Sequence, residues 1–306
     1  MENMKLHDVQ LPRYQSTEPP NNSRLIANSS NSTLATDSSG GYHAPMEAIL
    51  ALLILVFLVN LFGNVIVVLI ITKKKRMQTF TNWLLLNLAI ADLLVALICI
   101  PLEIPLEIKN QYWIYGDKFC TIFYPIQTAT VYGSVFTLVG LSLSRYWAII
   151  HPFKPQATVR HAKIAIAVIW MLSLALVIPY MTVLKVQGDY CSETWRPIQG
   201  RIYTVATVVL QFLLPLFVIS IAYTFIVYEL KFSKATLKVD KIKRKETKKV
   251  VNLLLIITVT FALCVLPYHT VGLIAQFYST DFRYFEDINL ASVSYTHLTL
   301  PTICSV

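Results

Sequence analysis

Charge is what this sequence has least of. Only 14% of its 306 residues are Asp, Glu, Lys or Arg, against 55% hydrophobic, and the mean hydropathy is +0.57. Such a composition lies well to the apolar side of a soluble domain and points to lipid. Acids are scarcer than bases, 17 against 26. The basic excess is concentrated in two short stretches, however, so no nucleic-acid partner is needed to explain it. Also missing is a second carboxylate at membrane depth or a Ser/His couple, which an intramembrane enzyme would need. There is no internal repeat with interrupted helices of the kind transporters show, and no filter loop or charged ring for a channel. Five cysteines are too few for a disulfide framework.

What is there is a set of long apolar runs, at about 47–72, 82–104, 119–149, 162–184, 202–230 and 249–277. Each approaches or exceeds the roughly 20 residues that carry a helix across about 30 Å of hydrocarbon. Helices are the only open-ended spans whose backbone groups are satisfied without water. The fold expected is therefore an all-α membrane protein with six complete spans, multi-pass in the plasma membrane.

Basic loops stay on the cytoplasmic side. Lys73, Lys74, Lys75 and Arg76 follow the first span, and nine Lys or Arg lie between Lys231 and Lys249 after the fifth. The loops between mix both signs, which places the N-terminus outside. The stretch 238–249 would also suit an anionic lipid surface. Residues 1–44 are polar and hold sequons at Asn21, Asn28 and Asn31, so they read as a disordered, glycosylated extracellular tail. No cleavable signal precedes them, and the first span is expected to act as the signal anchor. Only Cys120 and Cys191 fall on the outer side, where a disulfide would tie the loop after the fourth span across the mouth of the third. Cys99 and Cys264 read as small buried residues.

Ionisable groups inside a span are costly and count as functional candidates. Asp92, in NWLLLNLAIADLL, is the clearest, with Asn64 and Ser134 as its expected polar company. It marks either a working site or a structural hydrogen-bonded knot. Arg145, in LSLSRYWAIIHPF, ends a long apolar run with no acid beside it.

With these residues go others in fixed order: Gly63-Asn64, LAIADLL with Asn87, Trp113 to Gly116 before Cys120, Ser144-Arg145-Tyr146, Trp170 and Pro179, Pro215 and Tyr223, and FALCVLP from Phe261 to Pro267. Together they resemble the rhodopsin-like (class A) G-protein-coupled receptors over residues 45–290. The resemblance implies a seven-helix bundle and a set of roles. Asp92 and Ser134 match a pocket for an allosteric sodium ion, the one cofactor it suggests. Val135, Pro215 and Phe261 match a packed trio that rearranges on activation. Pro267 is expected to break the sixth helix and supply its pivot. Arg145, flanked by Ser144 and Tyr146, matches the arginine that receives a heterotrimeric G protein, and Tyr223 the tyrosine that later supports it.

Two departures qualify those roles. Ser144 stands where the family usually has an acid, and a hydroxyl cannot neutralise a guanidinium. Thr247 occupies the partner position low in the sixth helix, so raised basal signalling is expected. Val265 replaces the tryptophan commonly found beneath the ligand, which leaves the trigger to other residues such as Phe261 and His269.

Gln127 stands where amine receptors carry aspartate, which disfavours monoamines. The resemblance runs instead toward neuropeptide receptors of the neuropeptide Y, neuropeptide FF, RYamide and orexin kind. Glu103, Glu107, Glu193, Asp281, Glu286 and Asp287 would ring the mouth and steer a basic, C-terminally amidated peptide. Gln211 and His269 are expected to line the pocket.

A seventh span should open near Phe285. VSYTHLTLPT, Val293 to Thr302, instead resembles a translated transposon-type sequencing adapter. That implies a receptor bundle over 45–292, truncated after six complete helices and incapable of signalling, with a non-native tail over 293–306. An opsin-like photoreceptor and a non-receptor transporter remain the alternatives. Phe123 at a counterion position and Val265 weigh against the first.

Overall fold

A computed structural model describes residues 46–74, 78–109, 112–232 and 238–277. Among them, six helices are long and apolar enough to cross a membrane, in agreement with the six expected. The sequons, the acids beyond 277 and the residues from Phe285 onward lie outside the described residues.

The first span is α1 (Met46–Lys73). The second is α2 (Phe80–Leu94), capped by the Thr79 hydroxyl accepting from the Asn82 N–H at 3.3 Å. It passes through a π-helical turn (Val95–Cys99) into α3 (Ile100–Ile108). The third is α4 (Asp117–Ile150). It starts after Gly116, whose φ of +78° suits glycine. The fourth, α5 (Val159–Val183), is capped by Thr158 and His161. Then come two short strands, β1 (Leu184–Gln187) and β2 (Tyr190–Glu193). The fifth span is α6 (Pro197–Val208), a π-helical turn (Val209–Leu213) and α7 (Leu214–Phe232). The sixth is α8 (Lys238–Phe277).

Both π turns have the same cause. A proline lacks the N–H that would bond to the carbonyl four residues earlier, and its ring crowds that carbonyl. For Pro101 that residue is Leu97, and for Pro215 it is Gln211, each in the middle of a π turn. Pro267 behaves differently from expectation. α8 runs through it from Lys238 to Phe277 without a break. One hydrogen bond is lost there, but in lipid the neighbouring backbone groups have no alternative partner, so the ladder persists on either side.

α4 is the axis of the bundle: 67% of its apolar window is buried, against 11% for α5 and 22% for α1. The difference fits helices of one central and two peripheral positions, the latter presenting Leu, Ile and Phe side chains to lipid. Leu84, Leu88, Val135, Leu138, Tyr223 and Phe261 belong to the main core cluster. Polar side chains tie spans together within it. Asn87 Nδ2 donates to Thr137 Oγ1 at 2.8 Å, and Trp170 Nε1 donates to Asn87 Oδ1 at 2.9 Å, linking α2, α4 and α5.

The strands pair antiparallel with Val186 opposite Cys191, turning at Gly188 with φ +59°. Cys191 is disulfide-bonded to Cys120, which lies fully buried at the start of α4. The expected bridge is thus present and holds the hairpin over that end of the bundle. It closes a loop of 71 residues, for which chain entropy implies stabilisation of about 2–5 kcal/mol. Replacing both cysteines with serine is therefore expected to lower the thermal unfolding midpoint of the purified protein, read by intrinsic fluorescence.

Candidate functional site

The interior of the bundle at its disulfide end carries an unusual density of buried polar atoms. Gln127 on α4 is 1% exposed and Glu103 on α3 is 3% exposed. Gln127 Nε2 donates to Glu103 Oε2 at 3.2 Å, while Gln127 Oε1 meets no donor. Glu103 is thus an interior residue, not the rim residue the sequence suggests. The π turn below it adds a residue to the second span and rotates the following turns, which sets Glu103 against α4. Glu107 lies one turn further along α3, and its side chain is outside the described residues.

The fifth and sixth spans carry buried polar groups of their own. Gln211, in the second π turn, is 2% exposed with Nε2 unpartnered, and His269 on α8 is 4% exposed with Nε2 unpartnered. The His269 ring contacts Phe212 and Tyr268, with centroids 5.8 and 5.2 Å away. The hydroxyls of Tyr132 and Tyr203 both approach Thr207. Neither Tyr203 Oη nor Thr207 Oγ1, however, reaches hydrogen-bond geometry with any group.

Sequence reasoning missed Tyr132, Tyr203 and Thr207, because hydroxyl-bearing residues in an apolar run read as ordinary helix surface. A usable signal was present in the four-residue spacing of Tyr203, Thr207 and Gln211, which puts them on one helical face.

Glu193, at the end of β2, is an exposed residue. Trp195 Nε1 donates to its Oε2 at 2.8 Å, and Tyr180 hydrogen-bonds to it as well. Tyr203 stacks between Trp195 and Tyr180, with centroids 4.9 and 5.8 Å away. Although Glu193 is partly open to solvent, crowding by these rings desolvates its carboxyl. That raises its pKa above the usual carboxylate range, with the two hydrogen bonds opposing the rise.

At mid-depth Asp92 is fully buried, and Ser134 is 1% exposed with Oγ unpartnered. Asn64 does not turn toward them as expected. Its Nδ2 donates to Asn60 O and Oδ1, both at 3.0 Å, within α1. A one-turn neighbour able to accept within its own helix satisfies the amide locally. Val135, Pro215 and Phe261 do come together, around a small cavity shared with Gln211 and Thr258. Val265 is 1% exposed and joins the same core cluster as Val135 and Phe261.

At the opposite end, the Arg145 Nε is buried without a hydrogen-bond partner. The Tyr223 hydroxyl lies within electrostatic reach of its guanidinium and hydrogen-bonds to Thr258. Ser144 is engaged elsewhere: its Oγ is 3.1 Å from Thr81 Oγ1 on α2. Tyr146 packs edge-on against Phe225, centroids 5.9 Å apart.

Comparison with known proteins agrees with this arrangement. The family described as "7 transmembrane receptor (rhodopsin family)" matches residues 63–305. The chain is similar to the substance-P receptor of Aquarana catesbeiana, at 32% identity over 253 residues covering 78% of this chain and 61% of that protein. It is 32% identical over 237 residues to the QRFP-like peptide receptor of Branchiostoma floridae, covering 71% and 62%. Neuropeptide FF receptor 2 of Mus musculus is 31% identical over 268 residues, covering 80% and 64%. The chain spans about three fifths of the length of these curated relatives.

The buried amide–carboxylate pair gives a direct test. Gln127→Leu removes a donor from an enclosed carboxylate, which costs about 1–3 kcal/mol. Without any ligand, the variant is expected to unfold at lower temperature than the parent, whereas Gln127→Glu, which also places two carboxyls together, is expected to become more stable on acidification.

Proposed function

This chain belongs to the rhodopsin family of seven-transmembrane receptors, and we propose that the seven-helix form of this receptor recognises a basic, C-terminally amidated neuropeptide outside the cell and activates a heterotrimeric G protein inside it. Its relatives are receptors rather than enzymes. The observation that carries the reading is the set of buried polar atoms without a partner among the described residues toward the disulfide end: Gln127 Oε1, Tyr203 Oη, Thr207 Oγ1 and His269 Nε2. Leaving a buried group unsatisfied costs about 1–3 kcal/mol. Four such atoms on three spans suit a site whose hydrogen bonds are completed by a polar ligand.

The ligand class follows from charge. Glu103 offers a carboxylate in the interior and Glu193 a second, exposed one, the latter bordered by Trp195 and Tyr180. A guanidinium fits both a carboxylate and an aromatic face. Relatives named as receptors for QRFP-like, pyroglutamylated RF-amide and FF peptides support a peptide ligand, and the RF-amide name in particular supports arginine beside an amidated aromatic end.

In this reading the disulfide end faces the outside of the plasma membrane, and ligand entry moves the Arg145 end of α8 away from α4. Arg145 then receives the G protein with Tyr223 beside it. Asp92 and Ser134 would hold a sodium ion, since a buried carboxylate and a free hydroxyl oxygen suit a hard cation. The ion's charge would offset that of the carboxylate in the resting state.

Amidated Arg-aromatic peptides are expected to activate the seven-helix form of the receptor in cells, with potency reduced about 10- to 100-fold by Glu103→Gln or Glu193→Gln, the loss expected of one charge-assisted hydrogen bond. Unchanged potency in both variants would remove the charge argument. Because desolvation by the neighbouring rings makes Glu193 retain its proton to higher pH than an ordinary carboxyl, acidifying the medium is expected to weaken the peptide. Glu193→Gln should flatten that part of the pH dependence.

Ser144 bonds to Thr81 and leaves Arg145 without an adjacent anion. Agonist-free signalling is accordingly expected to be high and to fall about fivefold in Ser144→Asp, the change that ~1 kcal/mol produces. Basal signalling at background level, unaffected by Ser144→Asp, would contradict this.

A further inference from the structure

The cavity among Val135, Pro215 and Phe261 differs in chemistry from the buried polar side chains nearer the disulfide. Its lining is almost wholly apolar, built by α4, α7 and α8 with Leu138, Ile219 and Ala262. A cavity so lined stays dry unless several polar groups converge on it. One polar side chain does border it: Gln211, 2% exposed, with Nε2 lacking an acceptor. Thr258, the other polar residue at the wall, is already engaged, donating to Leu254 O at 2.9 Å and meeting the Tyr223 hydroxyl. The site therefore presents an apolar body and a single free donor.

The backbone explains why the donor is there. Gln211 lies four residues before Pro215, in the π turn that the proline imposes. The wider turn sets its amide against the bundle interior and not toward lipid. The smallness of Val135 and Ala262 then leaves space beside Phe261 that a larger side chain would fill.

We propose that this cavity is a second ligand site, embedded in the membrane core, for a compact neutral molecule with an apolar body and one hydrogen-bond acceptor, which accepts from Gln211 Nε2. The free space admits little more than a water-sized sphere. A larger occupant enters by separating Phe261 from Pro215. It thereby binds one arrangement of these residues better than the other, and that difference is what allows a ligand to shift a conformational equilibrium. A charged ligand is excluded, because no counter-charge lines the cavity. The proposal stands independently of which peptide occupies the outer pocket.

The test compares acetophenone with α-methylstyrene, which has the same shape but a methylene in place of the carbonyl oxygen. Thermal unfolding of the purified full chain is followed as each is titrated. Acetophenone is expected to raise the midpoint saturably, with apparent affinity about three- to tenfold tighter than that of α-methylstyrene, the value of one neutral hydrogen bond. Gln211→Leu should abolish that preference while leaving the hydrocarbon's effect in place. Ala262→Leu, which fills the space, should abolish both effects. Val135→Ile encroaches from the opposite wall and serves if Ala262→Leu does not fold. Equal affinity of the two probes for the parent chain, no midpoint shift with either, or shifts unaltered by filling the cavity would each overturn the proposal.

Discussion

Hydrocarbon offers no hydrogen bonds, and the rest of this structure follows from that constraint. Every backbone group in the six spans has to be satisfied within its own helix, and every polar side chain must find a partner in the bundle or stand ready for one. Asn87 shows the first solution, bridging Thr137 and Trp170 so that three spans share one satisfied knot. Gln127 shows the second, with one end of its amide bonded to Glu103 and the other open. The contrast separates residues that hold the bundle together from residues arranged to meet something else.

Proline positions two of the buried polar residues. Pro101 and Pro215 each disrupt the ladder four residues upstream, and the chain responds with a π turn. A π turn shifts the angular position of whatever follows or occupies it. In the second span the consequence is an inward Glu103. In the fifth it is an inward Gln211. Pro267 has no such turn, and α8 stays continuous through it. The same residue type thus produces two outcomes, and the neighbouring packing selects between them.

Between the polar pocket and Arg145 lies the trio of Val135, Pro215 and Phe261, with Val265 packed into the same cluster. Valine where an indole is common in the family leaves the sixth span without a bulky lever under the ligand. The fifth span, by contrast, carries a polar residue in each of three successive turns, Tyr203, Thr207 and Gln211, leading directly to Pro215. At the far end, the Thr81–Ser144 contact holds α2 to α4 without adding charge beside Arg145.

Much of this was legible in the residues alone. Apolar length fixed six spans, because crossing a bilayer sets a minimum run that few other structures require. Position on the disulfide side singled out Cys120 and Cys191, and ordered motifs singled out Asp92, Arg145, Pro215 and Phe261. Those are properties of the chain in one dimension. Tertiary structure alone decided that Glu103 is interior while Glu193 is exposed, and that the Asn64 amide donates to Asn60 within its own helix. The physical reason is rotational: a single extra residue in a π turn redirects a helical face. Which polar atoms end with partners then depends on what the neighbouring helices place opposite them, a relation between segments that no single segment contains.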